Sequence, residues 1–317
     1  MSAVVVTDLV REFVVRRSVG RLRRDRQVVR AVDGISFDIA PGEAVGYIGA
    51  NGAGKSTTIK MITGILVPTA GTVRTLGLDP VARRRELARR IGAVFGQRSQ
   101  LWWDLPLGES FRILAAMHGL RGWQSRVDQL VGRLELDGFL TTPVRQLSLG
   151  QRMRGEVAAA LVHSPALLVL DEPTVGLDVL SKERLRVFLR EERVASGTTL
   201  LLTTHDMSDI ERLCDRVLVV DHGQLAYDGT LPDLAATMGA ERVLVVDLVE
   251  PHGPLTDVPG ARLLSVEGDG LRQRLAFTIS AAAVLAAVAE RCEIRDLTVE
   301  EPDIEGVVRT LYERGGR

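Results

Sequence analysis

Residues 49–56 read Gly-Ala-Asn-Gly-Ala-Gly-Lys-Ser, directly after the apolar stretch Ala44–Ile48. This pattern predicts a phosphate-binding loop between a strand and a helix that runs from about Lys55 to Thr63. Glycines let successive backbone N–H groups converge on an anion, and the helix start adds its positive dipole end. Lys55 supplies a compact charge for the β- and γ-phosphates, and Ser56 supplies a hydroxyl for Mg²⁺. The stretch therefore predicts the first βαβ unit of an α/β fold.

The composition excludes several classes of partner and location. The chain has 317 residues, of which 40 are basic and 41 acidic, and 45% are hydrophobic. Such a balanced charge lacks the basic footprint of a nucleic-acid-binding protein, so no nucleic-acid partner is expected. The longest apolar stretch, Ala281–Ala289, is far shorter than the roughly 20 residues of a membrane-spanning helix. Because the N-terminus also lacks a signal-peptide pattern, we expect a soluble chain in the cytoplasm.

Lysine is scarce in this sequence. Among its 40 basic residues only Lys55, Lys60 and Lys182 are lysines. The bias toward arginine is typical of codon usage in a GC-rich genome. Lys55 stands at a position where the planar arginine fork would not replace a point charge. The two cysteines, Cys214 and Cys292, are too few and too far apart for a disulfide framework or a zinc knuckle and are interpreted as reduced thiols.

Later apolar segments predict a parallel sheet covered by helices. Leu167–Leu170, Thr198–Thr203 and Arg216–Val220 lack polar alternation, which is typical of strands buried on both faces. The span from about Arg83 to Val162 is predicted to be mainly helical.

The two ends of the chain differ from this central part. Strands are expected at Ala3–Val6 and Phe13–Val15, followed by the basic stretch Arg16–Arg30. That stretch is interpreted as a solvated hairpin, with a phosphate or lipid headgroup partner as the alternative. After Pro232 the composition changes, so a domain boundary is expected near residue 235, ahead of a small α+β unit.

Two acidic residues follow a buried strand. Asp171 and Glu172 come directly after the apolar run 167–170, and in an open parallel sheet this end of a strand faces the ligand crevice. Asp171 fits a residue that holds Mg²⁺ through a water or through the direct ligands, and Glu172 fits the residue that polarises an attacking water. A surface loop acid is the alternative. His205 ends another such strand, where its ring could reach a γ-phosphate or that water. The other histidines are interpreted as structural.

The segment 146–154 reads Gln-Leu-Ser-Leu-Gly-Gln-Arg-Met-Arg. Together with the phosphate loop, Asp171-Glu172, Gly176-Leu177-Asp178 and His205, it resembles the nucleotide-binding subunits of ATP-binding cassette (ABC) transporters over about residues 3–235. The resemblance implies an α/β P-loop NTPase fold with a mixed sheet, an antiparallel β subdomain and a helical signature subdomain at about 98–160. We therefore expect a nucleotide-binding domain at 1–235 and a small C-terminal α+β domain, accessory or regulatory, at 236–317.

The resemblance also implies roles for individual residues. Phe13 resembles the aromatic platform for adenine, where the family more often has tyrosine; a core phenylalanine is the alternative. Gln97 resembles the glutamine that senses Mg²⁺ and the transmembrane partner, and a solvated loop glutamine is the alternative. Asp178 resembles the acid that couples two sites across a dimer, with an N-cap or turn residue as the alternative. His205 is similar to the switch histidine.

Ser148 and Gly150 resemble the signature residues that cap the γ-phosphate of the nucleotide on the opposite subunit. Where the family usually has glycine, this chain has Leu149, whose side chain would either crowd the phosphate or point away; we favour the second. The expected nucleotide-binding residues are Phe13, Gly49, Asn51, Gly52, Ala53, Gly54, Lys55, Ser56, Thr57, Gln97, Ser148, Gly150, Gln151, Asp171 and Asp178. The expected catalytic residues are Lys55, Glu172 and His205, and the expected Mg²⁺ ligands are Ser56, Gln97 and Asp171.

The partners follow from the same resemblance. Each subunit supplies half of the groups around a nucleotide, so a dimer, expected to be a homodimer, would close around two Mg–ATP. Hydrolysis would drive separate transmembrane permease subunits, which would hold the chain at the cytoplasmic face of the membrane. Trp102, Trp103 and Trp123 are interpreted either as a subdomain core or as an anchor groove for the permease.

One segment near the C-terminal end bears on the direction of transport. The segment Leu297–Glu305 resembles the tail of bacterial drug- and antibiotic-exporter ATPase subunits, which favours an exporter over an importer. A cassette ATPase that acts on ribosomes or DNA is the alternative outside transport. Such proteins usually carry two cassettes or a long coiled-coil insertion, and this sequence has neither.

Overall fold

The strand before the phosphate loop lies inside a central sheet. The structure, a computed structural model, describes residues 2–19, 23–96, 99–302 and 304–315. The chain divides into two compact units, Met1–Asp228 and Gly229–Arg317. This division falls ahead of residue 235, so the helix Leu231–Thr237 belongs to the second unit.

The first unit contains both strands and helices. Its strands are β1 (Val4–Val19), β2 (Arg23–Ile39), β3 (Ala44–Gly49), β4 (Ala70–Thr75), β5 (Ile91–Phe95), β6 (Leu167–Asp171), β7 (Thr199–Thr203), β8 (Arg216–Asp221) and β9 (Gln224–Gly229). Its helices are α1 (Lys55–Ile62), α2 (Arg84–Ala88), α3 (Leu107–His118), α4 (Trp123–Arg133), α5 (Leu149–Leu161), α6 (Val179–Ser196) and α7 (Met207–Leu213).

The central sheet has the strand order β5-β6-β7-β3-β8-β9. The pairs β5/β6, β6/β7, β7/β3 and β3/β8 are parallel, so the carboxyl ends of these strands meet at one edge. Val45, Val169, Leu201 and Leu218 are each 0% exposed. Burial of each such side chain contributes about 1.5–3 kcal/mol, which explains why these strands carry apolar runs without alternation.

A separate antiparallel sheet has the order β2-β1-β4. Strands β1 and β2 form a long hairpin, whose register runs from Val4 opposite Ile39 to Val19 opposite Arg23. The strand expected at Phe13–Val15 is therefore part of a longer one, and most of the basic stretch lies in the strands of this hairpin.

Three strands were not predicted from the sequence. Strand β5 lies within the span that was expected to be mainly helical, and β4 and β9 were not recognised. Strand β5 reads Ile-Gly-Ala-Val-Phe and β4 reads Ala-Gly-Thr-Val-Arg-Thr; both contain glycine and alanine, which have low strand propensity. Pairing of β5 with β6 in the sheet overrides that local preference.

Helices α3, α4 and α5 follow one another between β5 and β6. Helix α5 contacts α3, α4 and β5, and Phe111, Leu130 and Val157 are almost fully buried. The signature segment is thus the start of a helix whose far side rests on an edge strand of the central sheet.

The second unit is an α+β fold. Its elements are α8 (Leu231–Thr237), β10 (Arg242–Leu248), β11 (Ala261–Glu267), β12 (Arg272–Phe277), α9 (Ala281–Ala289), β13 (Ile294–Glu300) and α10 (Ile304–Gly315). The antiparallel sheet has the order β11-β12-β10-β13, and its core joins Leu244, Val246 and Phe277 to Val284 and Val288 of α9. Within the described ranges of the whole chain, no helix is long and apolar enough to cross a membrane.

Candidate nucleotide site

The phosphate loop depends on glycine at two positions. Gly54 precedes α1 with a φ of 102°, and a Cβ there would lie 2.3 Å from the carbonyl oxygen of Ala31. A Cβ on Gly49 would lie 2.4 Å from the carbonyl oxygen of Val220. Because both neighbours are backbone atoms, larger residues would displace the loop from its strand. The glycines that the pattern requires are therefore required by the fold as well.

The side chain of Lys55 returns to the loop that precedes it. Its Nζ donates to the carbonyl oxygens of Gly49, at 2.6 Å, and of Ala50, at 3.1 Å. Partial burial lowers the pKa of Lys55, although the negative charges of Glu172 and Asp171 act in the opposite direction. The ammonium group is thus held against the phosphate loop, near Asp171 and Glu172 at the end of β6.

Ser56 and Asp171 lie together at the start of α1. The Ser56 hydroxyl donates to Asp171 Oδ2 at 3.4 Å, and the Thr203 hydroxyl donates to Asp171 Oδ1 at 2.5 Å. A hydroxyl and a carboxylate are the hard oxygen ligands that Mg²⁺ prefers. These residues therefore fit the cation that accompanies a nucleotide.

Glu172 and His205 are in direct contact. Glu172 Oε2 lies 2.8 Å from His205 Nδ1, because β6 and β7 are parallel neighbours whose register pairs Asp171 with Thr203. The Glu172 side chain is 26% exposed and that of His205 is 74% exposed. Glu172 also has a φ of 57°, in the left-handed region that only a few per cent of non-glycine residues adopt.

The signature residues form the start of α5. Ser148 is its N-cap: the Ser148 hydroxyl accepts from the Gln151 backbone N–H, and Gln151 Oε1 accepts from the Ser148 backbone N–H. This reciprocal capping box fixes the turn. The Leu149 side chain lies against Gly176, in the loop before α6. The isobutyl group of Leu149 therefore packs against the loop before α6 of the same chain.

Asp178 is the N-cap of α6. It accepts hydrogen bonds from the Ser181 hydroxyl, at 2.6 Å, and from the Ser181 backbone N–H, at 2.9 Å, and these bonds lower the pKa of Asp178. The Ser181 hydroxyl also lies near Gly150, since a Cβ on Gly150 would be 3.6 Å from it. Asp178 therefore has the geometry of an N-cap residue, which was the alternative interpretation, and it lies next to the turn that begins α5.

Direct contacts group these residues into two sets. The phosphate-loop cluster consists of Gly49–Ser56, Asp171, Glu172, Thr203 and His205, and the signature cluster consists of Ser148–Gln151, Gly176, Asp178 and Ser181.

Phe13, Thr57 and Gln97 are not part of either set, and Asn51 belongs to the phosphate loop. Phe13 lies on β1, partly exposed, with the Arg11 guanidinium 4.7 Å from its ring centroid. Asn51 is exposed and Thr57 half-buried. Gln97 lies outside the described residues.

Similarity to known proteins agrees with this geometry. The ABC transporter family profile matches residues 32–175. The Nod factor export ATP-binding protein I of Paraburkholderia xenovorans (strain LB400) is 36% identical over 278 residues, which cover 84% of this chain and 87% of that protein. The chain belongs to the ABC transporter ATP-binding proteins.

Two further similarities concern this family. The ABC transporter ATP-binding protein NatA of Bacillus subtilis (strain 168) is 33% identical over 216 residues, or 68% of this chain and 87% of that protein. A dimeric ATP-binding cassette, solved in a post-hydrolysis state with ADP and Pi, is 25% identical with a TM-score of 0.61, and the match covers 72% of this chain and 98% of that one. The predicted family, fold class, ATP binding and ATPase activity are confirmed.

The aromatic residues of this ABC ATPase divide between core and surface. Phe111 is fully buried in α3, whereas Trp103 is 51% exposed. The Arg152 guanidinium lies 5.7 Å from the Trp103 ring centroid, and the Trp102 backbone N–H donates to the Ser110 hydroxyl. The buried aromatic of this region is thus Phe111, whereas Trp102 and Trp123 are half-buried and Trp103 is exposed.

Sequence reasoning missed one polar residue of the site. The Thr203 hydroxyl holds Asp171, and the Thr203 carbonyl accepts from the Glu172 backbone N–H at 2.9 Å. The available signal was the change from leucine to threonine at the end of the apolar run Leu200–Leu202.

Proposed function

We propose that this ABC ATPase is the motor subunit of an exporter, in which two copies close around two Mg–ATP and drive a separate membrane permease. The observation that carries the proposal is the contact between Glu172 and His205, beside Lys55, Ser56 and Asp171. A carboxylate, an imidazole, an ammonium and a helix N-terminus at one sheet edge are groups that can position a water and stabilise charge in phosphoryl transfer.

Nucleotide binding is assigned to the phosphate loop. The backbone N–H groups of residues 50–56 and the dipole of α1 would hold the phosphates, with Lys55 as the point charge. Ser56 and Asp171 would hold Mg²⁺, directly or through water, and Gln97 would complete that set. The cation would neutralise charge that develops on the phosphate oxygens.

Hydrolysis is assigned to the acidic strand end. Glu172 would orient and polarise the attacking water, and His205 would hold the Glu172 carboxylate through the Nδ1 contact while its exposed ring edge faces the γ-phosphate. Catalysis by such groups consists mainly of positioning and electrostatic stabilisation. The chain's own residues thus determine where the water stands.

The signature cluster is assigned to the nucleotide of the second copy. The Ser148 hydroxyl and the Gly150 backbone N–H would contact its γ-phosphate, and Asp178 would lie close to the same interface. A similar cassette is a dimer in its solved structure, which supports this arrangement. ATP binding would then act as the closing force and hydrolysis as the release.

The exporter assignment is supported by the length of the match to a Nod factor export protein, which spans 278 residues and so reaches beyond the first unit. The subunit would attach to the cytoplasmic face of the membrane through its permease. Trp102 and Trp103 would lie in the docking groove, because aromatic anchors dominate interfaces. An importer ATPase remains the competing direction, and transport assays in vesicles with the partner permease distinguish the two.

The substitution Glu172→Gln tests the catalytic assignment. The variant should bind ATP and dimerise but hydrolyse ATP at least about 100-fold more slowly, because an amide cannot polarise the water. Glu211→Gln, which changes an exposed acid of α7, is the matched control and should turn over like the wild type. Wild-type turnover in Glu172→Gln would remove that residue from the catalytic role.

A further inference from the structure

One buried carboxylate joins the two loops that carry Glu172 and His205. Asp209 Oδ2 accepts a hydrogen bond from the Thr174 hydroxyl at 2.5 Å and another from the Thr204 hydroxyl at 3.1 Å. Thr174 lies just after Glu172 in the chain, and Thr204 immediately precedes His205. A single oxygen atom therefore ties the loop after β6 to the loop after β7, next to the contacting pair.

The charge of Asp209 is compensated by α6. Asp209 is 0% exposed and Arg186 is 8% exposed. Arg186 donates to Asp209 Oδ1 through Nε, at 2.6 Å, and its Nη2 lies 2.5 Å from the same oxygen. A buried carboxylate is costly unless it is paired and hydrogen-bonded. The arginine and the two threonines together meet both conditions.

A second ion pair fixes the same segment. Lys182, one turn before Arg186 on α6, donates to Asp206 Oδ2 at 2.7 Å, and Arg186 Nη2 lies 3.4 Å from that oxygen. Burial alone would raise the pKa of Asp206, but the hydrogen bond and charge of Lys182 bring it below its usual range. The residues on both sides of His205 are thus anchored to one helix.

This anchoring matters because the ring of His205 is largely exposed and the backbone of Glu172 is strained. The His205 side chain is 74% exposed, so packing does not hold its ring. Glu172 adopts a φ of 57°, and such backbone strain persists only where surrounding structure imposes it. The hydroxyl bonds from Thr174 and Thr204 to the shared carboxylate are positioned to impose both.

We propose that Asp209, held by Arg186, is a positioning residue for ATP hydrolysis, which sets the contact between Glu172 and His205. The proposal rests on the catalytic assignment made above for that pair. Loss of the link would let the two loops separate while the phosphate loop stays intact. The turnover number would therefore fall, and ATP binding would not.

Valine substitutions test the link without removing the buried ion pair. Thr174→Val and Thr204→Val keep the shape of threonine and lose only the hydroxyl, and each variant is measured separately in the full chain. The Thr204 hydroxyl also accepts from the Asp206 backbone N–H at 3.0 Å, so Thr174→Val is the more selective of the two. We expect kcat to fall about tenfold in each, with KM for ATP within about twofold of the wild type. Thr174→Ser, which keeps the hydroxyl, should retain most of the wild-type kcat.

Thr75→Val is the matched control. Thr75 is 0% exposed and its hydroxyl donates to the carbonyl oxygen of Ile62 at 2.8 Å, so the control also removes a buried hydroxyl bond. All valine variants should have similar unfolding midpoints, and Thr75→Val should keep the wild-type kcat. The positioning role is overturned if Thr174→Val and Thr204→Val keep that kcat too, or if Thr75→Val loses as much.

Glu172→Gln in the same assay distinguishes failure of the positioning role from failure of the catalytic assignment. If Glu172→Gln is slow while Thr174→Val and Thr204→Val are fast, only the positioning role fails. If Glu172→Gln turns over like the wild type, the catalytic assignment itself fails.

Discussion

The Leu149 side chain occupies the space where a side chain on Gly176 would begin. Its Cδ2 atom lies 2.2 Å from the position of a Cβ on Gly176, and Gly176 has a φ of 73°. Leucine at the signature position and glycine in the loop before α6 therefore depend on one another. The contact turns the isobutyl group toward that loop, and the Ser148 hydroxyl stays at the helix N-terminus.

Gly176→Ala should disturb the signature cluster. The new Cβ would force Leu149 away, and the backbone conformation would add strain, so we expect ATP-dependent dimerisation and ATPase activity to fall about tenfold or more. ATP binding by the monomer should change little, since the phosphate loop is untouched. Dimer formation is measured by light scattering with ATP in the Glu172→Gln background, and activity in the otherwise wild-type chain.

Gly197→Ala separates steric conflict from backbone strain. Gly197 has a φ of 67° and, among the residues that the structure describes, no heavy atom within 4 Å of its Cβ position, so alanine there is strained but free of collision with them. This control should lower stability by about 1–2 kcal/mol without specific loss of dimerisation. Adding Leu149→Ala to Gly176→Ala should restore part of the lost activity. No rescue would show that Leu149 is not the cause.

Lys55→Arg should fail although the chain uses arginine almost everywhere else. Lys55 Nζ fits between the carbonyl oxygens of Gly49 and Ala50, where a guanidinium fork is too broad. We expect ATP affinity, measured by calorimetry, to fall about 10- to 100-fold, as for loss of a charged hydrogen bond. Lys60→Arg, on the exposed side of α1, should bind ATP normally. Normal affinity in Lys55→Arg would contradict this account.

Features whose geometry depends on residues adjacent in the chain can be predicted from the sequence alone. The phosphate loop is one, because glycine, lysine and serine at fixed spacing can make few other structures. The position of Glu172 is another, since an apolar strand that ends in acids leaves them at the sheet edge.

Contacts between distant residues were not readable from the sequence. Nothing near Leu149 indicates that Gly176 leaves room for it, and nothing near Asp209 indicates that Arg186 compensates its charge. Strands β4, β5 and β9 were missed for a related reason: their pairing partners, and not their own residues, make them strands. The connections between the loops of the site therefore could not be predicted from the sequence.

His163 should make the folded state sensitive to acid. Burial, and next the charge of His118, lower its pKa to about 4, while the bond to the carbonyl oxygen of Ile91 acts in the opposite direction. The unfolded chain binds the proton below about pH 6.5, whereas folded His163 binds it only near pH 4. The stability that the neutral ring contributes is therefore complete above about pH 6.5 and is lost as pH falls toward about 4. The loss should reach roughly 2 kcal/mol, given the partial exposure of the ring.

Urea unfolding at pH 7.5 and pH 4.5 measures this effect. The unfolding free energy of His163→Gln should fall less between the two pH values than that of the wild type. His222→Asn is the control, because the His222 side chain is 84% exposed and its φ of 46° suits asparagine. An equal fall in the wild type and in His163→Gln would exclude His163 as the source.

Trp103→Ala and Trp102→Ala should weaken attachment to the permease. Trp103 is 51% exposed beside the signature helix, and a buried tryptophan anchor at an interface is worth about 2 kcal/mol or more, which corresponds to roughly 30-fold in affinity. Copurification with the tagged permease and ATP binding by the free subunit are measured in parallel, and only the first should fall. Met117→Ala removes another exposed apolar side chain, 67% exposed on α3, and should leave assembly unchanged. If all three variants assemble like the wild type, the tryptophans belong to the subdomain itself and the docking surface lies elsewhere.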